Sequence, residues 1–397
     1  MENVAPPRYV LQVLRGLKAR GYVAYLVGGC VRDMVLGVHP NDWDICTSAL
    51  PEQVMEVFPH ARPTGIRHGT VTVDINSHHV EVTTFRWEED YSDHRHPDAV
   101  HFVGELTTDL SRRDFTINAM ALSPDGLLLD PFGGLEDIRR RCIRCVGEAP
   151  KRFDEDALRM FRALRFSARL DFYIAKDTLS AISQKAALAS ALAAERIRDE
   201  VEKTLLTKKP QVVGQMAELG LLDAFLVQPG RLLPELDAAA ALPRKALDRW
   251  MFLCLVLSRQ ALISGAGDFL GALKLDSRTI RCCTDGIALL SRPKPSSAPE
   301  WKRLLCRIGV DTVCCAARCL DALDGGDSYR ELKAILKSGE CFTMKHLAVT
   351  GDDLVDLGLK GRELGEMLAF LLDYVIEYPA NNRRELLLSL AGNSEEL

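Results

Sequence analysis

Residues 22–29, Tyr-Val-Ala-Tyr-Leu-Val-Gly-Gly, form an apolar run that stops at a glycine pair. A short continuous apolar run bounded in this way predicts a buried strand leading into a tight turn. Residues 30–37, Cys-Val-Arg-Asp-Met-Val-Leu-Gly, predict a short helix ending at Gly37. Residues 43–47 are short and mostly apolar, as a second strand would be. Segments 71–75 and 80–85 alternate with period two on either side of Asn76-Ser77, which predicts a hairpin. Residues 127–130 read as a last strand, closed by Pro131 and the turn at Gly133-Gly134. Residues 86–100 are polar and non-periodic, and read as a mobile loop.

From Phe153 onward the periodicity is helical. Asp154 is placed to cap a helix over 155–170, and further helices are expected over 176–189, 193–206, 210–221, 244–260 and 363–377. The Pro- and Ser-rich stretch 291–299 reads as a linker between helical units. A chain of 397 residues exceeds what one core usually spans, so two to four structural units are expected.

Composition narrows the class. The 47% hydrophobic and 26% charged content is ordinary for a globular protein. No apolar run approaches the roughly 18 residues that a membrane helix needs. The first residues lack the basic-then-apolar pattern of a secretory signal. Twelve cysteines at irregular intervals, including Cys282-Cys283 and Cys314-Cys315, predict reduced thiols in the cytoplasm rather than a disulfide framework. The net charge is −5, yet residues 139–169 hold ten basic and four acidic side chains, a local net of +6. Such a stripe is either a phosphate footprint or a solvated helix face.

Asp42 and Asp44 lie two residues apart at the start of the second strand, so they project to one side. Two carboxylates that close repel unless a cation lies between them, and hard oxygen donors of this kind suit Mg²⁺. Gly28 and Gly29 offer backbone N–H groups to a phosphate with no Cβ in the way. Arg32 follows one helical turn later and either reaches a phosphate or pairs with Asp33. Glu81 is an acid within an apolar strand; it is either a third carboxylate that activates an attacking hydroxyl or an edge-strand surface residue. Arg112-Arg113-Asp114, read as opening an apolar helix, can bind a triphosphate and a ribose hydroxyl, although Asp114 also fits a simple N-cap.

Spacing by three in Asp156, Arg159, Arg162 and Arg165 predicts one ridge of one helix. The Asp156–Arg159 pair suits an ordinary helix ion pair, but also base selection. A carboxylate only accepts and a guanidinium only donates. Cytosine and adenine each present an amino donor beside a ring-nitrogen acceptor, whereas uracil and guanine present the reverse. Cys142-x-x-Cys145 lacks a second pair at zinc spacing.

Five segments carry a resemblance: 26–37, Asp42-Trp-Asp44, 112–120, Asp130-Pro-Phe-Gly-Gly134 and Glu155-Asp-Ala-Leu-Arg-Met-Phe-Arg162. They resemble the class II tRNA nucleotidyltransferases, the CCA-adding enzymes, which share a head with bacterial poly(A) polymerases. The resemblance implies an α+β fold: a DNA polymerase β-type nucleotidyltransferase head with a small mixed sheet over 1–138, then an all-helical neck over 139–206, body over 207–298 and tail over 299–397. It implies Mg²⁺ at Asp42 and Asp44, and nucleotide contacts from Gly29, Arg32, Arg113, Asp156, Arg159, Arg162 and Arg165. It also implies template-independent addition of C, C and A to the tRNA 3′ end from CTP and ATP. Narrower or broader relatives add A alone or make poly(A). The polar stretch 86–100 has the full length associated with A addition, and the acidic end Asn393-Ser-Glu-Glu-Leu397 differs from a basic poly(A) polymerase extension. Trp43 and Cys46 occupy positions commonly filled by smaller or aliphatic residues.

Overall fold

The period-two segments of the first part of the chain pair into sheets, and the rest is helical. The structure is a computed structural model that describes residues 4–89, 99–228 and 233–392. It divides into two compact units, one of Met1–Ala224 with Gln228–Leu232 and one of Phe225–Val227 with Leu233–Leu397.

In the first unit the strands are β1 (Ala24–Val27), β2 (Asp44–Thr47), β3 (Arg62–Gly65), β4 (Thr70–Ile75), β5 (His78–Thr84), β6 (Arg86–Glu89), β7 (Ala99–Phe102), β8 (Ala121–Leu122) and β9 (Leu128–Leu129), followed by a short parallel pair, β10 (Cys142–Ile143) and β11 (Tyr173–Ile174). Seven of them form one mixed sheet in the order β3-β4-β5-β2-β1-β8-β9. β1 and β2 run antiparallel, whereas β2 and β5 run parallel with Asp44 opposite Glu81. The β4–β5 turn falls at Asn76 and Ser77, whose φ angles of 50° and 62° suit the twist of a tight hairpin. Val71, Val73, Val80 and Val82 are fully buried, so the alternation read from the sequence does face a core.

Helices α1 (Arg8–Ala19), α2 (Gly29–Val35), α3 (Pro51–Val57), α4 (Leu106–Ser111) and α5 (Gly134–Arg139) accompany the sheet. α1 buries Val10, Val13, Leu14 and Leu17, the three- and four-residue spacing of one helical face. The unit continues through α6 (Ala149–Glu155), α7 (Leu158–Leu170), α8 (Lys176–Lys185), α9 (Ala194–Leu205) and α10 (Val212–Glu218).

Two expectations need correction here. The stretch 86–100 is not simply a loop: β6 and β7 pair antiparallel, with Trp87 opposite His101. Each strand is only four residues long and lies beside a polar stretch, which hides the strand signal; the expected loop's remainder, 90–98, lies outside the described residues. The helix expected over 155–170 is α7, but it starts only at Leu158, and Asp154 belongs to the separate helix α6 that ends at Glu155. Pro150 opens α6, Asp154 lies inside it and binds Lys185 at 2.8 Å, and the backbone at Asp156 is extended (φ −142°, ψ 102°). Asp156 Oδ1 accepts the Leu158 N–H at 3.1 Å, so the side chain stabilises the break itself.

The second unit is helical: α11 (Ala246–Arg259), α12 (Ala266–Ala272), α13 (Ser277–Leu290), α14 (Ala298–Ile308), α15 (Val310–Asp324), α16 (Ser328–Ser338), α17 (Gly351–Val355), α18 (Gly361–Glu377) and α19 (Arg384–Gly392). α11 is buried without a break from Asp248 to Leu257 and packs against α13 and α15, while α17, α18 and α19 close a second apolar cluster around Leu354, Leu371, Val375 and Leu387. Among the described residues no helix is long and apolar enough to cross a membrane.

Gly134 is required for close packing. A Cβ there would lie 2.3 Å from the Thr116 carbonyl oxygen, which is backbone and cannot swing away. Gly134→Ala is expected to destabilise the first unit by about 1–3 kcal/mol and lower its melting temperature by several degrees. Gly104→Ala is the control in the same thermal unfolding experiment, because nothing lies within 4 Å of its Cβ position.

Candidate active site

Asp42 lies in the bend before β2, Trp43 is buried, and Asp44 opens the strand half-buried. This alternation turns the two carboxylates the same way. Glu81 stands beside Asp44 through the parallel β2–β5 register. It is exposed rather than buried within its strand, and β5 is internal to the sheet rather than an edge. Val80 and Val82 occupy the opposite, core-facing side. Burial pushes the Asp44 carboxyl up to about 6; the Glu81 and Asp42 charges add to this, and Arg113 opposes it. Among the described residues no three or more His, Cys, Asp or Glu side chains form a ready metal cage. The donor set nonetheless fits a divalent cation: hard oxygens, one of them held at an unfavourable potential by its neighbours.

Gly28 adopts φ 75°, where glycine is favoured, and a Cβ there would lie 3.0 Å from Arg113 Nη1 and 3.9 Å from Asp44 Oδ2. The glycine turn, Arg113 and Asp44 are therefore immediate neighbours. Arg113 Nη2 donates to Asp109 at 3.1 Å, and its Nε is buried without a partner. Asp109 is fully buried and also takes Arg112 at 2.7 Å. Arg112-Arg113-Asp114 does not open a helix: α4 ends at Ser111 and the next regular segment is a 3₁₀ turn at Thr116–Asn118. Phe115 is extended between them because its ring is drawn into the core. Asp114 consequently caps no α-helix. It accepts from Arg162 at 2.9 and 2.5 Å, from Asn118 Nδ2 at 3.1 Å and from the Phe115 N–H at 2.8 Å. Burial works against its charge, but Arg162 and Asn118 outweigh it and hold the carboxyl down at about 2.

Asp156, Arg159, Arg162 and Arg165 do not share one helical ridge, because Asp156 sits in the break before α7. Asp156 Oδ2 accepts from Arg196 of α9 at 3.2 Å. Arg159 donates to Glu155 at 2.5 Å and to the carbonyls of Arg152 and Arg112 at 3.0 and 2.8 Å. Arg165 donates to Glu200 of α9 at 2.5 Å. Arg32, for which a phosphate contact or a local ion pair was expected, makes the ion pair: it donates to Asp33 at 2.8 and 2.7 Å. Cys142 and Cys145 are buried free thiols.

Sequence reasoning missed Asp109, Glu200, Arg196, the anchoring role of Glu155, and Phe166. The guanidiniums of Arg32, Arg162 and Arg165 lie 5.2, 5.4 and 4.4 Å from the Phe166 ring centroid. The available signal was weak: Asp109 precedes Arg112 and Arg113 by three and four residues, as any helix surface pair would.

A sheet carrying adjacent carboxylates, with a glycine turn and paired arginines beside it, defines a nucleotidyltransferase-type head. Residues 24–144 match the family described as "Poly A polymerase head domain". Residues 171–239 match "Probable RNA and SrmB- binding site of polymerase A", and 243–391 match "tRNA nucleotidyltransferase domain 2". The chain is 39% identical to the CCA-adding enzyme of Geobacillus sp. (strain WCH70), over 96% of this chain and 95% of that one. It is 37% identical to the CCA-adding enzyme of Limosilactobacillus fermentum (strain NBRC 3956 / LMG 18251), with the same coverages of 96% and 95%. The crystal structure of Bacillus stearothermophilus CCA-adding enzyme in complex with CTP superposes with a TM-score of 0.83 at 35% identity, covering 99% of this chain and 98% of that one. The chain belongs to the CCA-adding enzyme family, and is an enzyme of the nucleotidyltransferase class that uses a divalent metal.

The two displaced carboxyls give opposite acid responses. Asp44 is raised from 3.8 to about 6, so its ionised form costs stability above that pH and the cost vanishes as pH falls towards 4. Asp114 is lowered from 3.8 to about 2, so its contribution is present above pH 4 and is lost as pH falls towards 2. With divalent metal chelated, Asp44→Asn is expected to be more stable than wild type at pH 7.5 by about 1–3 kcal/mol and equal to it near pH 4. Asp114→Asn is expected to be less stable at pH 7.5 by about 2 kcal/mol or more, with the gap closing in acid. Urea unfolding at several pH values measures both.

Proposed function

We propose that this chain adds C, C and A in turn to the 3′ end of tRNA, using CTP and ATP without a nucleic acid template and releasing pyrophosphate. The observation that carries the reading is the alignment of Asp44 with Glu81, with Asp42 alongside, next to the Gly28 turn and Arg113. In this reading residues 1–138 are the catalytic head, 139–206 a neck that reads the base, 207–298 a body, and 299–397 a tail that binds tRNA; the enzyme acts in the cytoplasm.

Asp42 and Asp44 are the residues that would hold Mg²⁺, which when bound lowers the pKa of the attacking hydroxyl and offsets triphosphate charge. The backbone N–H groups of Gly28 and Gly29, with Arg113, orient the triphosphate. The tRNA 3′ oxygen attacks the α-phosphorus, the bond from that phosphorus to the bridging oxygen breaks, and pyrophosphate leaves. Glu81 is placed beside Asp44 to take the hydroxyl proton. Asp114 offers an acceptor to the ribose while it keeps Arg162 in place. Arg165 contributes positive charge from the same helix, α7.

Asp156 accepts the amino group of cytosine or adenine, and Arg159 donates to the adjacent ring nitrogen. Uracil and guanine would set like against like, at about 1–3 kcal/mol for each unmade bond. Glu155 and the two carbonyls fix the guanidinium, so it cannot turn away to suit a wrong base.

A tRNA that lacks its terminal CCA is the discriminating substrate. CTP alone should extend it by two residues, CTP with ATP by three, and ATP alone should not extend it. Repeated extension by ATP alone would instead mark a poly(A) polymerase, and no extension by CTP together with addition of one A to a tRNA already ending in CC would mark an A-adding enzyme. Asp42→Ala and Asp44→Ala should each abolish incorporation with the circular dichroism spectrum retained; retained activity would reject the metal role. Asp156→Ala and Arg159→Ala should lower discrimination against UTP and GTP by roughly 10- to 100-fold. Unchanged selectivity would remove these residues from base reading.

A further inference from the structure

The carboxylates share their face of the sheet with a row of other side chains. Asp44 is opposite Glu81, Glu81 is opposite Thr72 on β4, and Thr72 is opposite Arg62 on β3. Directly opposed residues share a face, so these four form one row that ends at the edge strand. At the usual strand spacing Arg62 lies about 10 Å beyond Glu81 and about 14 Å beyond Asp44. Among the residues of β3, β4 and β5, Arg62 is the one lysine or arginine. Its guanidinium is forked on Asp74, with Nε and Nη2 donating at 2.6 and 3.0 Å. His79, two residues from Glu81 on the same face, lies 2.5 Å from that carboxylate. The fork leaves Arg62 Nη1 without a partner, on a side chain 58% exposed. An exposed ion pair contributes little to stability, so fold support does not explain why this guanidinium is held in one orientation.

We propose that Arg62 binds a backbone phosphate just inside the 3′ end of the tRNA, so that the acceptor strand runs along this row from the sheet edge to Glu81. The subsite rests on the reading of Glu81 as the group that takes the proton of the attacking hydroxyl. An RNA strand whose 3′ hydroxyl reaches Glu81 brings further phosphates with it. Arg113 and a bound cation meet the triphosphate beside Asp44, but on the far side of Glu81 the carboxylates repel those phosphates. Arg62 supplies the positive charge there. Held on Asp74, it offers its remaining N–H groups in a fixed geometry that suits phosphate oxygens. It acts on the entering strand and leaves the triphosphate to other groups.

Addition of A to a tRNA ending in CC gives separate KM values for tRNA and ATP. Arg62→Ala is expected to raise the tRNA KM about tenfold and to leave the ATP KM within twofold. It should also reduce the slope of log affinity for tRNA against log salt by about one. Arg62→Lys, which keeps the charge without the fork, should recover part of the loss. Asp74→Asn, which loosens the guanidinium, should show a smaller loss than Arg62→Ala. The decisive measurement replaces the phosphates nearest the 3′ end, one at a time, by uncharged methylphosphonate and follows tRNA binding without triphosphate. One position should weaken wild type about tenfold and leave Arg62→Ala unchanged. Losses that add at every position, or an unaltered tRNA KM in Arg62→Ala, would overturn the proposal. An equal rise in both KM values would also overturn it, by moving Arg62 to nucleotide binding or fold support. So would equal weakening for a tRNA trimmed back to its paired stem, which would put the contact elsewhere on the RNA. Should wild type bind tRNA but never extend it, the proposed function fails while the methylphosphonate comparison still decides the subsite.

Discussion

Like charges on one face of a sheet repel, and the head of this protein is arranged around that repulsion. Asp44 and Glu81 are set side by side by the parallel β2–β5 register, and Asp42 is added by the alternation of the chain. The same register sends Val80 and Val82 into the core. A slip of one residue would bury Glu81 and expose the valines, so the hydrophobic effect enforces the placement of the acids. The strain that remains is visible in the Asp44 carboxyl, which burial and its acidic neighbours push up to about 6. Only positive charge relieves it: Arg113 in part, and a bound cation more fully.

The arginines meet the converse constraint. Arg113 is held by Asp109, Arg159 by Glu155, Arg162 by Asp114, Arg165 by Glu200 and Arg32 by Asp33. Partly buried ion pairs of this kind add little net stability, since desolvation offsets most of the attraction. Their effect is on geometry. Each guanidinium is held in one orientation by its carboxylate, so the positive charge of this region is preorganised. Phe166, with three guanidiniums around its ring, ties several of these pairs together on α7.

Much of this could be read from residue order. β1, β2 and the β4–β5 hairpin were legible because period two and glycine act locally, and Asp42 and Asp44 because their spacing equals the strand repeat. What escaped depends on distant partners. The break at Asp156 is backed by Arg196, forty positions along the chain, which no local pattern reveals. Arg112-Arg113-Asp114 resembles a helix start, yet Phe115 is pulled into the core and the chain stays extended. The fate of Arg32 turned on Asn118 and Phe166, so the sequence left two readings open. In the second unit α12 to α17 and α19 went unread, although α13 to α16 run for 14, 11, 15 and 11 residues.

The abundance of cysteine is a packing effect. All twelve thiols are free, and Cys306 alone is exposed. Burial pushes Cys30 up to about 11 and Cys145 up to about 12, so these thiols stay neutral and weakly nucleophilic. Cys254, Cys283, Cys315 and Cys319 lie on α11, α13 and α15, where the helices approach closely. At Gly286 of α13 a Cβ would already meet Met251 of α11 at 2.6 Å. A small polarisable side chain fills such gaps where a branched one would force the helices apart. Cys46 follows the same logic in the sheet, fully buried among Val27, Phe85, Leu110 and Ala121, so the departure at that position changes packing beneath the site and leaves its charges untouched.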